Sequence, residues 1–224
     1  MTMLDTISNS PLFAGIDKNQ FESLLACLTA ATRQYHKDEF IFVAGGKATS
    51  VGIVLSGGVR VLQEDFWGRR AILAHISPGG LFGEAFSCAE KDVLPVSVIA
   101  SEPSEILLID YRKIVTTCSS ACGFHALLVK NMMRILAEKN ILLTRKIEHL
   151  SKRTTREKLL SFLSAQAVFA KSDIVTIPFN RQELAEYLCV DRSALSRELG
   201  AMQTEGLIKC DKNSFELIRP EGGW

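Results

Sequence analysis

The chain predicts an α+β protein in three successive parts: a β-rich roll, one long helix, and a close helix pair followed by a β-hairpin. Three observations carry this. Between about 34 and 110, short β-rich runs alternate with glycine-bearing turns. From Gly123 to Leu150 the apolar residues recur with a helical period. At 180–208 the stretch NRQELAEYLCVDRSALSRELGAMQTEGLI holds two helical patterns with about four residues between them. The expected boundaries are 1–122 for the roll, 123–150 for the long helix and 151–224 for the last part.

Bulk properties bound the reading. The 224 residues are 47% hydrophobic and carry a formal net charge of +1. Such a chain buries real cores, and any polyanion-binding role must come from local clustering. No run approaches eighteen apolar residues, so no membrane span and no membrane partner are expected. The start, MTMLDTISNSPLFAG, lacks a basic region followed by an apolar run. The six cysteines then read as thiols and the protein as cytoplasmic.

Residues 17–30, DKNQFESLLACLTA, read as an amphipathic helix opened by Asp17. The roll follows in EFIFVAGG, SVGIVLSGGVRVLQED, RRAILAHISPGGLFGE and PVSVIASEPSEILLID. Gly45-Gly46, Gly57-Gly58 and Gly79-Gly80 suit corners that need positive φ, and EDFWGRR suits a hairpin tip with Gly68 in its turn. In the long helix, Met133, Asn140 and Ile147 occupy one heptad position, and Val129, Leu136, Leu143 and Leu150 the other. This is the pattern of a helix paired with its own copy. A buried Asn140 costs stability but fixes register and favours two strands. The alternative is a helix simply packed on the roll. A second stripe, Leu128, Met132, Ile135 and Leu142, suits that packing, so one helix can serve both.

Residues 151–170 predict a further helix with a basic start. Between 145 and 158, Arg145, Lys146, Lys152, Arg153, Arg156 and Lys158 stand against Glu148 and Glu157, a local net charge of +4. The cluster fits a solvated hinge and equally a surface near phosphates. DIVTIPFN is a brief strand closed by Pro178, and LIKCDKNSFELI two short strands around Asp211–Ser214. In the helix pair, Asn180 caps a helix containing Leu184, Ala185 and Leu188. Asp191 caps the next, with Leu195, Leu199 and Met202 inward. Arg192, Ser193, Ser196 and Arg197 then share the opposite face in its first two turns. This arrangement satisfies the helix-turn-helix description, with a recognition helix presenting its N-terminal half to base edges of double-stranded DNA. The alternative is an ordinary helical hairpin with a solvated face.

The order of parts, and above all RQELAEYLCVDRSALSREL with the later EGLI, resembles the Crp/Fnr superfamily of bacterial transcription regulators. VLSGGVRV and PGGLFGEAF are similar to that family's β-roll turns and phosphate-binding cassette. The resemblance covers nearly the whole chain. It implies a cyclic-nucleotide-binding-type β-roll, a dimerisation helix and a C-terminal winged helix-turn-helix. It implies a homodimer on a palindromic operator, RNA polymerase as a partner, and a small-molecule effector signalling through a hinge near 150–153. Arg181 and Gln182 match phosphate-contacting positions, and Arg197 the base-reading arginine, preceded by Ser196. Ser193 stands where many members have a glutamate, and Cys189 where the turn often has glycine. Gly83 and Glu84 match the cassette, but Leu94 and Pro95 stand in place of its arginine and serine. Leucine brings no charge and proline no N–H, so cyclic AMP is not expected to bind by the usual phosphate contacts.

Other constellations point elsewhere. Cys118, Cys122 and His125 share one face if helical, as soft ligands for a metal or haem or as an oxidant-sensing group. The alternative is buried thiols beside a helix-end histidine. No metal or other cofactor is assigned. A four-cysteine iron–sulfur site fails because the N-terminal region has only Cys27. No Gly-x-Ser-x-Gly, His-Glu-x-x-His or Walker-type motif occurs, and GGKATS has the wrong order, so no enzyme is expected. A cyclic-nucleotide-binding regulatory module without DNA activity is the remaining class. It would need the missing cation and no helix-turn-helix.

Overall fold

In a computed structural model the described residues are 3–47, 49–68, 70–90, 92–116, 123–177 and 179–218. The chain divides into two compact units, Met1–Glu138 and Lys139–Trp224. The division falls inside the longest helix.

The first unit opens with helices α1 (Met3–Asn9) and α2 (Phe21–Cys27). Asp17 does cap a helical turn, but that turn is a separate 3₁₀ segment, Lys18–Gln20, so the single helix expected from Asp17 is split. Eight strands follow: β1 (Ala31–Tyr35), β2 (Phe40–Phe42), β3 (Ser50–Ser56), β4 (Val59–Glu64), β5 (Arg70–Ile76), β6 (Leu81–Phe82), β7 (Ser97–Ala100) and β8 (Ser104–Asp110). Helix α3 (Glu84–Cys88) interrupts them and α4 (Tyr111–Val115) ends them. The strands form two antiparallel sheets, ordered β1-β8-β3-β6 and β2-β7-β4-β5. This is the expected roll. Gly45, Gly57, Gly68 and Gly79 take the positive φ that their corners require.

The period-2 rule explains why the central strands β3 and β8 of the first sheet are apolar on both faces. On β3, Val51, Ile53 and Leu55 face one way and Val54 the other; on β8, Leu107 and Ile109 oppose Ile106. One face packs on α1, α2 and the start of the long helix α5 (Phe124–Leu150) through Leu128, Met132 and Ile135. Asn131, buried between them, donates its amide to the carbonyls of Leu12 and Ala14, both at 2.9 Å. The other face meets the second sheet around Val54, Val59, Phe82, Val98 and Ile106. Phe82 fills this interior. A Cβ on Gly52 would lie 2.1 Å from its ring, and Phe42 packs against it at 5.4 Å between centroids.

Leu142 corrects the expected second stripe. Leu128, Met132 and Ile135 are buried, but Leu142 is 61% exposed. The buried stripe therefore ends at Ile135.

The second unit holds the end of α5, then α6 (Thr155–Ala170), β9 (Ile174–Thr176), α7 (Arg181–Tyr187), α8 (Arg192–Thr204), β10 (Ile208–Asp211) and β11 (Ser214–Leu217). Thr154 and Glu157 form a capping box that starts α6 four residues later than expected, leaving 151–154 as a turn. The strands pair as β10-β11-β9. The core joins Leu159, Phe162 and Leu163 of α6 to Leu184 and Ala185 of α7, Leu195, Leu199 and Met202 of α8, and Phe215 of β11. Ala185 lets the two helices approach closely. Among the described residues no helix is long and apolar enough to cross a membrane.

Candidate nucleic-acid interface

The interface grows from two caps. Asn180 accepts from the N–H groups of Gln182 and Glu183, and Glu183 returns a bond to the Asn180 N–H, a capping box that fixes the start of α7. Asp191 accepts from the N–H groups of Ser193 and Ala194, both at 2.9 Å, and starts α8. The Ser193 hydroxyl also donates to Asp191, at 2.5 Å. These bonds, the Ser193 hydroxyl foremost, with the nearby Arg197 charge, hold the Asp191 carboxyl below its ordinary range.

Between the caps the turn passes through Cys189 at φ 50°, a left-handed residue with an exposed side chain. A Cβ there is strained by about 1–2 kcal/mol, and glycine relieves it at some cost in unfolded-chain entropy. Cys189→Gly should therefore stabilise this unit by up to about 1 kcal/mol. An upward shift of the urea midpoint without a change in slope checks this, and a downward shift refutes it.

With the leucines buried, Arg192, Ser193, Ser196 and Arg197 are all exposed on the outer face of α8. They lie where the sequence put them. Two details were not visible in the sequence. The Ser193 hydroxyl hydrogen is committed to the cap, leaving its oxygen to accept. On α7, Gln182 Nε2 donates to Glu186 at 2.8 Å, and Arg181 lies over the Phe215 ring at 5.0 Å with Nη2 donating to Cys210 Sγ at 3.3 Å. Arg181 thus ties the start of α7 to the hairpin β10–β11.

The basic cluster is largely engaged within its own unit. Arg156 pairs with Glu205 and Glu198, Lys158 donates to the Leu188 carbonyl, Lys146 lies 5.1 Å over Tyr187, and Arg145 lies 5.8 Å over Phe169. His149, buried on the last turn of α5, sits 2.8 Å from Ser161 Oγ with its ring edge on Phe162. Burial lowers its proton affinity. These contacts fasten the end of α5 to α6 and α7.

In the roll, Gly83 opens α3 at φ 80° and Glu84 behind it is buried. Leu94 is buried, its N–H and C=O bonded to the Gly45-Gly46 loop, while Pro95 faces outward. Arg60 on β4 pairs with Asp38 at 2.6 Å. Cys118 and Cys122 lie outside the described residues.

A chain with an eight-stranded roll, a long helix and a winged helix-turn-helix of this geometry is a DNA-binding regulator of the Crp type. Residues 32–120 match the cyclic nucleotide-binding domain and residues 157–222 the Crp-like helix-turn-helix domain. The chain belongs to the Crp/Fnr superfamily. It is 25% identical over 214 residues to the cyclic AMP receptor protein of Thermus thermophilus, covering 94% of both chains. It is 26% identical over 195 residues to the nitrogen fixation regulation protein FixK of Azorhizobium caulinodans, covering 83% of this chain and 74% of that one. The fold is that of the c-di-GMP responsive regulator CLP of Xanthomonas campestris, with a TM-score of 0.58 at 21% identity, over 91% of this chain and 100% of that one.

Proposed function

We propose that this regulator acts as a homodimer on a twofold-symmetric operator, with α8 of each copy reading bases in the major groove. The observation that carries the reading is the outer face of α8. Two arginines and two serines stand exposed in its first turns, while its inner face is locked into the core. Arg197 and Arg192 donate to guanine edges, and Ser196 bonds a base or a phosphate. Arg181 and Gln182 meet the backbone once Gln182 releases Glu186. Ser193 supplies no carboxylate for cytosine N4, so the operator departs from the common family palindrome. Pairing comes from Val129, Met133, Leu136, Asn140, Leu143, Ile147 and Leu150. RNA polymerase is the partner through which binding alters transcription. In-vitro selection from random duplexes with the full chain tests the reading. A twofold-symmetric site supports it, and recovery of no enriched sequence rejects it.

The sensor is read differently from the cyclic AMP receptor protein of Thermus thermophilus. Around Gly83 and Glu84 the interior is filled by Phe82 and Phe42, and Leu94 and Pro95 bring no cation. A phosphodiester anion there would be desolvated without a charge partner. Calorimetric titration with cyclic AMP should give no saturable heat. A micromolar or tighter constant overturns this assignment of Leu94 and Pro95.

A further inference from the structure

We propose that Cys27 is a site of oxidation by hydroperoxides, with His125 as its base. Cys27 closes α2 and His125 lies in the first turn of α5. They are 98 residues apart in sequence, yet Cys27 Sγ lies 3.4 Å from His125 Nε2. Cys27 is half-buried, while the imidazole is 2% exposed and flanked by Phe124. Nδ1 of His125 is buried and has no hydrogen-bond partner among the described residues. A purely structural buried histidine normally satisfies both nitrogens, and an orphaned one asks for a chemical reason. In the tautomer that carries its proton on Nδ1, the imidazole offers the Nε2 lone pair to the thiol. Sequence reasoning joined His125 to Cys118 and Cys122. It had no signal for Cys27, because only the docking of α5 on α2 brings the two together.

The chemistry balances. Nε2 takes the thiol proton. The thiolate attacks the hydroperoxide oxygen that carries hydrogen, the S–O bond forms as the O–O bond breaks, and the departing oxygen takes the proton from His125. It leaves as water from hydrogen peroxide, or as an alcohol from an alkyl hydroperoxide. Sulfur is oxidised by two electrons to a sulfenic acid and the peroxide is reduced. Cys88 makes the contrast. It too is half-buried, but burial and the neighbouring Glu84 charge push its thiol pKa upward.

The test treats the full chain at pH 7 with hydrogen peroxide and dimedone and reads each cysteine by peptide mass spectrometry. Cys27 should label at least tenfold faster than exposed Cys189. His125→Asn, which keeps a polar side chain but no base, should slow Cys27 about tenfold and leave Cys189 alone. Equal rates at Cys27 and Cys189, or a Cys27 rate indifferent to His125→Asn, overturn the proposal. Should that variant fail to fold, iodoacetamide alkylation of the wild-type chain decides. Cys27 at least tenfold ahead of Cys88 supports the pair, and parity overturns it. The readout involves no DNA, so it stands apart from the operator reading.

Discussion

Arg197→Ala should abolish sequence preference while leaving non-specific DNA binding nearly intact. A bidentate arginine–guanine contact contributes roughly 1–3 kcal/mol of discrimination. Two copies on a symmetric site double that to roughly 2–6 kcal/mol, or about 30- to 20,000-fold in affinity for the selected operator. The fold should not suffer. Arg197 is exposed, and the core side of α8 is held by Leu195, Leu199 and Met202. Asp191 loses only a minor contribution from the Arg197 charge and keeps its cap bonds. Arg197→Lys is the discriminating control, because it retains the charge and loses the planar fork. Fluorescence anisotropy with the selected duplex and a scrambled one, across a salt series, checks this. The specific complex should weaken in both variants, and the salt slope should stay close to wild type in the lysine variant. An alanine variant that still prefers the selected duplex by the wild-type margin removes Arg197 from the reading role.

What was legible in the sequence depended on how far apart the interacting residues lie. The helix pair rests on short-range signals: caps at Asn180 and Asp191, and leucines at helical spacing behind Arg192 and Arg197. Those fix which face is buried before any tertiary contact forms. The glycine corners of the roll were legible for the same reason, since Gly57 and Gly79 declare a local need for positive φ. Strand order was not. β1 and β6 lie on opposite edges of a sheet whose middle strands are β8 and β3, and no local pattern encodes that pairing. Side-chain engagement was equally hidden. Arg181 reads as a phosphate contact, yet Phe215 and Cys210, 34 and 29 residues away, hold it in this unit. Arg156 reads as part of a basic surface, yet Glu205 neutralises it. A charge pattern records which residues are present, not which of them the fold has already paired.

Leu143→Glu should convert a dimer into monomers and with it remove operator binding. In the single chain Met133, Leu143 and Ile147 are 67%, 62% and 66% exposed, a stripe of large apolar side chains along one helix edge. Fully burying such a side chain is worth roughly 1.5–3 kcal/mol, and a twofold counts each residue twice. Half-buried Val129, Leu136 and Leu150 continue the stripe at heptad spacing. A glutamate at 143 brings two carboxylates together across the twofold in a seam that excludes water. That reverses the contribution of Leu143 and adds like-charge repulsion. The variant should still fold, because Leu143 is exposed in the protomer and belongs to neither core. Sedimentation velocity at micromolar protein should show a single species near 24.7 kDa. Affinity for the selected duplex should fall at least a hundredfold as the two half-sites lose their linkage. Asn140→Leu should act the other way. Its thermal midpoint rises because a polar group leaves the seam, while the uniqueness of the dimer suffers, with trimers or shifted registers in the same sedimentation experiment. A Leu143→Glu chain that sediments as wild type, with its operator affinity unchanged, would mean that the copies associate through some other surface.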